Sequence, residues 1–203
     1  MNELGKDQVK NQMKPAAKFW PTILFRNYQV PEKIHRHPVA RMLWCAVGAA
    51  TGIALALSLV GPPALPFLLV SLGGSTVFLF GLTRAPATQP RALFGGHLGG
   101  ALIGIACYYA FGDALWVYAL AQVLALSFML LTKTVHPPAG ANPILMIYAH
   151  AGWSALWQPV LVGVTSLAVI AAVWSRLYPG HAHYPVNWLE RSPPSTFWGG
   201  WDD

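Results

Sequence analysis

Lys133 and His136 stand directly before Pro137-Pro138, and this grouping has the clearest chemical potential in the chain. A lysine ammonium is cationic at neutral pH, while an imidazole donates a proton or changes charge near pH ~6–7. Proline is tolerated in the first turn of a helix, where its missing N–H costs nothing. Pro137 and Pro138 therefore predict a helix start, with His136 beside its free N–H groups. Such an end carries partial positive charge and outward-pointing donors. Together with Lys133 and His136 it suits a small anion. The plainer alternative, a lysine snorkelling to lipid headgroups and a histidine capping a turn, stays open beside it.

Other groups could join that site. Ser75 and Thr76 offer neutral hydrogen bonds, as does Asn142 at the matching place in the second half of the chain. Ordinary interhelical or back-bonded hydroxyls are the competing reading. Gly73, Gly74 and Gly140 permit close backbone approach or unwinding. His97 falls inside an apolar run, where an ionisable residue is a functional hypothesis by default. Beside it, Gly96, Gly100 and Gly104 recur every four residues as a smooth packing stripe, and Gly48 and Gly52 do the same earlier. His35-Arg36-His37 and His181-Ala182-His183 lack nearby carboxylate or cysteine companions, so they read as surface histidines and no metal is expected. No Asp or Glu lies inside any apolar run, which disfavours a cation path. The chain has no Walker motif, nucleophile elbow or HExxH, so neither catalysis nor a cofactor is expected.

The elements that must position these residues follow from composition. Of 203 residues, 55% are hydrophobic and 10% charged, whereas a soluble domain carries about a quarter charged residues. The chain is an all-α integral membrane protein. Six apolar runs cover residues 39–60, 64–82, 92–111, 114–132, 138–151 and 156–174. A span needs roughly 20 residues, so the fold expected is a bundle of six crossings, or four full spans plus two short or broken helices. A re-entrant fifth run is the alternative. The domain runs from 39 to 176, between a basic arm (1–38) and a Pro- and Trp-rich tail (177–203). Cys45 and Cys107 lie within apolar runs and read as packed thiols. The lysine-rich start does not resemble a cleavable signal.

Basic residues number 13 against 7 acidic ones. The excess is concentrated in the arm, which fits a cytoplasmic lead-in resting on lipid headgroups rather than nucleic-acid binding. If every run crosses, Arg41, Arg84, Arg91, Lys133 and Arg176 share one side, which the positive-inside rule makes cytoplasmic for both termini. A bacterial inner membrane is the expected location. Leu72-Gly73-Gly74-Ser75-Thr76-Val77-Phe78-Leu79-Phe80 also lines up with Ala139-Gly140-Ala141-Asn142-Pro143-Ile144-Leu145-Met146-Ile147. Each stretch is small and polar first, then apolar, as in an inverted 3+3 transporter repeat.

Four stretches together carry a family resemblance. They are Thr134-Val135-His136-Pro137-Pro138-Ala139-Gly140-Ala141, Ser71-Leu72-Gly73-Gly74-Ser75-Thr76-Val77-Phe78-Leu79-Phe80, Gln89-Pro90-Arg91-Ala92-Leu93-Phe94-Gly95-Gly96-His97 and Tyr184-Pro185-Val186-Asn187-Trp188. In this order they resemble the HPP family of integral membrane proteins over about residues 38–190. The resemblance implies four transmembrane helices, with the second and fifth runs as half-helices. It also implies a small anion such as nitrite as substrate, since chloroplast and cyanobacterial members are linked to nitrite transport. The reading reached is a homo-oligomeric permease for a small anion, with membrane lipid as its other partner. A non-transporting scaffold or sensor is the alternative, and a metal-dependent membrane enzyme the third.

Overall fold

The computed structural model describes residues 38–60, 70–178 and 181–193. The basic arm, the Gly61-Pro62-Pro63 turn, the His35/His37 pair and the last ten residues lie outside the described residues. Among the described residues six α-helices follow in order: α1 (Pro38–Val60), α2 (Val70–Gly81), α3 (Pro90–Phe111), α4 (Leu115–Thr132), α5 (Asn142–Tyr148) and α6 (Gly163–Leu177). A 3₁₀ turn, Trp153–Leu156, and a π turn, Trp157–Val162, lead into α6 and extend it to a 25-residue rod. The π turn contains Pro159, which has no N–H to give to the helical ladder. Among the described residues there is no strand, only an isolated bridge between Thr134 and Ser192.

Four rods are long and apolar enough to cross a membrane: Pro38–Val60, Pro90–Phe111, Leu115–Thr132 and Trp153–Leu177. Among the described residues, the second and fifth runs give shorter helices. α2 has 12 residues and α5 has 7, about 18 and 10 Å at 1.5 Å per residue. Among the described residues, four spans of full length and two shorter helices are formed.

The break between α4 and α5 has a local cause. Lys133 closes α4 in the left-handed conformation, φ 57°. His136, forced out of the helical region by the following proline, is extended at φ −127°, ψ 102°. Pro137–Ala141 then form a 3₁₀ turn before α5 begins. The segment is nonetheless not a hairpin back to its starting end. It descends α3 step by step, with Gly96 against His136, Gly100 against Ala139 and Gly104 against Pro143. It ends at His150, whose imidazole meets Asp113 just beyond α3.

The glycine stripe of α3 thus seats a broken segment, not a neighbouring continuous helix. A Cβ on Gly104 would lie 2.6 Å from the Pro143 carbonyl oxygen, and one on Gly100 3.0 Å from that of Ala139. These are backbone atoms and cannot turn aside. On α1, Gly48, Gly52 and Ala56 form the buried stripe against α6 and Phe80 of α2. Trp44 stacks on Trp174 at 4.5 Å near the ends of those helices.

One apolar core joins α1, α2 and α6 through Ala56, Leu72, Leu79, Phe80, Leu167 and Ala171. A second joins α3 to α5 and the turns before α6 through Ala101, Ile105, Met146 and Val160. Outward, Met42, Leu43, Val123 and Leu131 stay exposed, the surface of a protein whose solvent is lipid.

A tail segment ties the basic end together. Gln89, 1% exposed, donates from Nε2 to the Thr83 and Ala85 carbonyls and accepts from the Val186 and Asn187 amides at Oε1. Tyr184 is buried, with its N–H on Ser175 Oγ and its carbonyl accepting from Arg176. Ser192 bonds both Lys133 and Val135 through its backbone and donates its hydroxyl to the Val135 carbonyl.

Candidate functional site

Three side chains distant in sequence converge where α2 and α3 meet the α4–α5 break. Ser75 Oγ lies 2.7 Å from His97 Nε2 and 2.9 Å from His136 Nε2. The two imidazole centroids are 5.1 Å apart, and Phe78 meets His136 edge-on at 5.6 Å. Asn142 completes the group, its Nδ2 reaching His97 Nδ1 at 3.1 Å and the His97 carbonyl at 2.9 Å. All four polar residues are at most 1% exposed.

Each is there for a local reason. Ser75 follows Gly74 on α2, and Gly74 abuts Pro138, where an added Cβ would come within 3.0 Å of the Pro138 Cβ. Small residues on both sides let α2 come close enough for a hydroxyl to reach both rings. His97 is held on α3 between Gly96 and Gly100, both of which admit the broken segment. His136 is extended because a proline follows it, and this turns its ring inward across the break.

The donors can be assigned from chemistry. His136 Nδ1 lies 2.6 Å from the Ala87 carbonyl, which only accepts, so Nδ1 carries a proton. The Asn142 amide donates to a carbonyl, so the same nitrogen donates to His97 Nδ1. His97, while neutral, is then protonated at Nε2 and donates to Ser75 Oγ. The Asn142 Oδ1 atom is buried without a partner among the described residues, and so is Gln122 Oε1 on α4. Both are acceptors. Gln122 lies by the same turn, its Nε2 at 3.6 Å from where a Gly140 Cβ would stand. The cluster therefore offers imidazole donors and unfilled amide acceptors in a place closed to bulk water.

Several expected members are elsewhere. Thr76 donates to the Leu72 carbonyl one turn back, the ordinary behaviour of a hydroxyl in a helix. Lys133 does not share a helix start with His136; its backbone caps α4 and pairs with Ser192. The free N–H groups expected beside the His136 ring are not its partners either, because the ring points to Ala87 and Ser75. Gly73 meets nothing within 4 Å and is not needed for approach, whereas Gly74 is. His181 and His183 gather no companions, and among the described residues no three His, Cys, Asp or Glu side chains group as a metal site. Cys45 and Cys107 are free thiols.

Three contributors were not anticipated: Gln122, Gln89 and the Ala87 carbonyl. Gln122 had a signal, being an amide in an otherwise apolar fourth run. Gln89 sat in a recognised stretch without an assigned role. A backbone carbonyl carries no signal in sequence.

With this geometry in place, the comparisons are informative. The model of the HPP transmembrane region matches residues 34–185. Two proteins of Dictyostelium discoideum, each named only as a transmembrane protein, are similar to this chain. One is 32% identical over 130 residues, covering 60% of this chain and 42% of its own length. The other is 29% identical over 129 residues, covering 60% and 45%. The chain thus spans less than half the length of these relatives. No solved structure matches it. The match over residues 34–185 takes in the whole broken-helix site, and the chain belongs to the HPP transmembrane family.

Proposed function

We propose that this chain is a permease for a small anion, with nitrite as the substrate to try first. The observation that carries the reading is the buried Ser75–His97–His136–Asn142 cluster at the break between α4 and the short α5. Polar groups inside a membrane bundle are costly, and broken helices at such depth are tolerated where they line a path or a site. Among the described residues only Asp113 and Glu190 are acidic, and Asp113 lies at the far end with His150. Among the described residues no carboxylate therefore competes for the imidazoles. In this reading the anion is held by the charge of the His136 ring, Ser75 and Asn142 position the two rings, and Lys133 and Arg91 draw anions to the basic end.

An inverted 3+3 repeat belongs to the same reading. Its two half-helical segments, α2 and 137–148, meet at Gly74 against Pro138 and at Ser75 against His136. The basic end faces the cytoplasm of a bacterial inner membrane under the positive-inside rule. Copies associate through the apolar outer faces, with lipid around them, and no catalytic step or nucleic acid is involved. Nitrite uptake into proteoliposomes tests the proposal. Flux should exceed that of protein-free vesicles and fall at least tenfold in His136→Ala. Equal flux in the variant would remove His136 from the site, and no flux in the parent protein would favour a scaffold or sensor.

A further inference from the structure

Three contacts meet at the Ser75 oxygen: the Ser71 carbonyl at 2.9 Å, His97 Nε2 at 2.7 Å and His136 Nε2 at 2.9 Å. A hydroxyl has one proton to give and two lone pairs to fill. The Ser71 carbonyl can only accept, so bonding it uses the Ser75 proton. Both imidazoles must then donate to Ser75. His97 does this as a neutral ring, because Asn142 already donates to its Nδ1. His136 already gives its Nδ1 proton to the Ala87 carbonyl. Donating from Nε2 as well makes it an imidazolium.

With His136 neutral, the Ser75 proton turns from the Ser71 carbonyl to the bare His136 Nε2. The Ser71 carbonyl loses little, since a helical carbonyl keeps its backbone donor. The two protonation states of the site thus differ by rotation of one hydroxyl hydrogen, with every heavy atom in place. When His136 carries the extra proton, all three Ser75 contacts are unshared hydrogen bonds at once.

A buried imidazolium needs an opposite charge close by. Among the described residues no acidic group contacts His136. α3 contributes His97, α2 contributes Phe78 and Ser75, and the Ala87 carbonyl accepts from Nδ1; Asn142 reaches the neighbouring His97, while Arg91 bonds the Thr132 carbonyl and Lys133 caps α4. Glu190 lies in the tail with the Asn187 amide, and Asp113 with His150. The counter-charge must come with the ligand. We infer that the site takes up one proton on His136 together with one monovalent anion, making the permease an electroneutral proton–anion symporter. The proton comes from water or from the conjugate acid of the anion and leaves by the same exchange on release. This rests on the transport reading above.

The test uses the full chain in proteoliposomes with sodium nitrite, with initial rates corrected for protein-free vesicles. Uptake should rise by up to about tenfold per unit of external acidification and ignore a membrane potential imposed with valinomycin. Ser75→Ala should lose most of this acid-driven rate, Ser75→Thr should keep it, and His136→Gln should abolish it, each scored only on monodisperse protein. As a measurement independent of flux, the ¹⁵N resonances of His136 should move from a singly protonated ring to imidazolium on saturation with nitrite. Flux that follows the membrane potential and ignores pH would overturn the coupling while leaving anion transport standing. An unchanged His136 spectrum under saturating nitrite would likewise overturn it. Absence of any nitrite flux would overturn both readings.

Discussion

Ser75 and His136 are 61 residues apart in sequence, yet the hydroxyl and Nε2 lie 2.9 Å apart in the core. That contact joins α2 to the break between α4 and α5. Continuing α4 through His136 would carry the ring away from Ser75, and the Pro137-Pro138 step forbids it.

Replacing Ser75 by alanine leaves the His97 Nε2–H without its acceptor inside the bundle. A stranded buried polar group costs about 1–3 kcal/mol. Ser75→Ala should lower the thermal midpoint in detergent, and Ser75→Thr should lose less. An unchanged midpoint for Ser75→Ala would mean that the cluster adds nothing to stability.

Gly104 and Gly73 should respond oppositely to alanine. At Gly104 the new methyl would strike the Pro143 backbone, 2.6 Å from its carbonyl oxygen, and overpacking against atoms that cannot rotate costs about 1–3 kcal/mol. At Gly73 nothing lies within 4 Å, so the better helix propensity of alanine should leave stability equal or raise it by up to about 1 kcal/mol. Melting both variants side by side checks the α3 contact, and equal behaviour would contradict it.

Gln89→Ala should free the tail. The change removes the acceptor of the Val186 and Asn187 amides and the donor to Thr83 and Ala85. Hydrogen exchange at Val186 and Asn187 should quicken at least tenfold, matching a loss of about 1.4 kcal/mol or more, while α3 and α4 amides stay protected. Unchanged exchange would show that Gln89 does not hold the segment.

At the opposite end, hydrogen bonds from His150 and Tyr118 hold the Asp113 carboxyl below the usual carboxylate range. A folded-state pKa below the unfolded one adds stability that is present above the unfolded value, near pH ~4, and lost as pH falls through the folded value. Asp113→Asn should therefore lower the melting temperature slightly at pH 7. Because the pair is solvent-exposed, the gap should shrink in high salt. It should close as the pH is taken below ~4, and a gap that widens on acidification would show that the carboxylate is not the stabilised form.

Much of this architecture is written locally in the chain. The apolar runs mark the membrane rods because lipid admits only long apolar stretches, and four of the six runs are long enough as helices to cross. The break at His136 was legible because a proline acts on its immediate neighbours. The glycine spacing on α3 announced a packing stripe, since four residues return to one helix face. The basic residues of the links were expected at one end, and contacts from Arg91 to Thr132 and from Arg176 to Tyr184 tie the helix ends that carry them.

The site itself was legible only as a set of residue types. Ser75, His97, His136 and Asn142 were all singled out, but Thr76 stood beside Ser75 with the same chemistry and turned to Leu72 instead. A one-residue step on a helix turns a side chain by about 100°, and only the packing of α2 on the broken segment decides which hydroxyl faces in. Lys133 looked like a partner of His136 because the two are close in sequence, yet Lys133 is the αL cap of α4 while His136 is extended before the next turn. The amino-acid sequence by itself determined the rods, the break and the small residues that permit close approach, all local consequences of sterics and solvent. Tertiary structure alone decided which ring nitrogen carries a proton, because the deciding partners, Ala87, Ser75 and Asn142, lie 22 to 61 residues from the rings they bond.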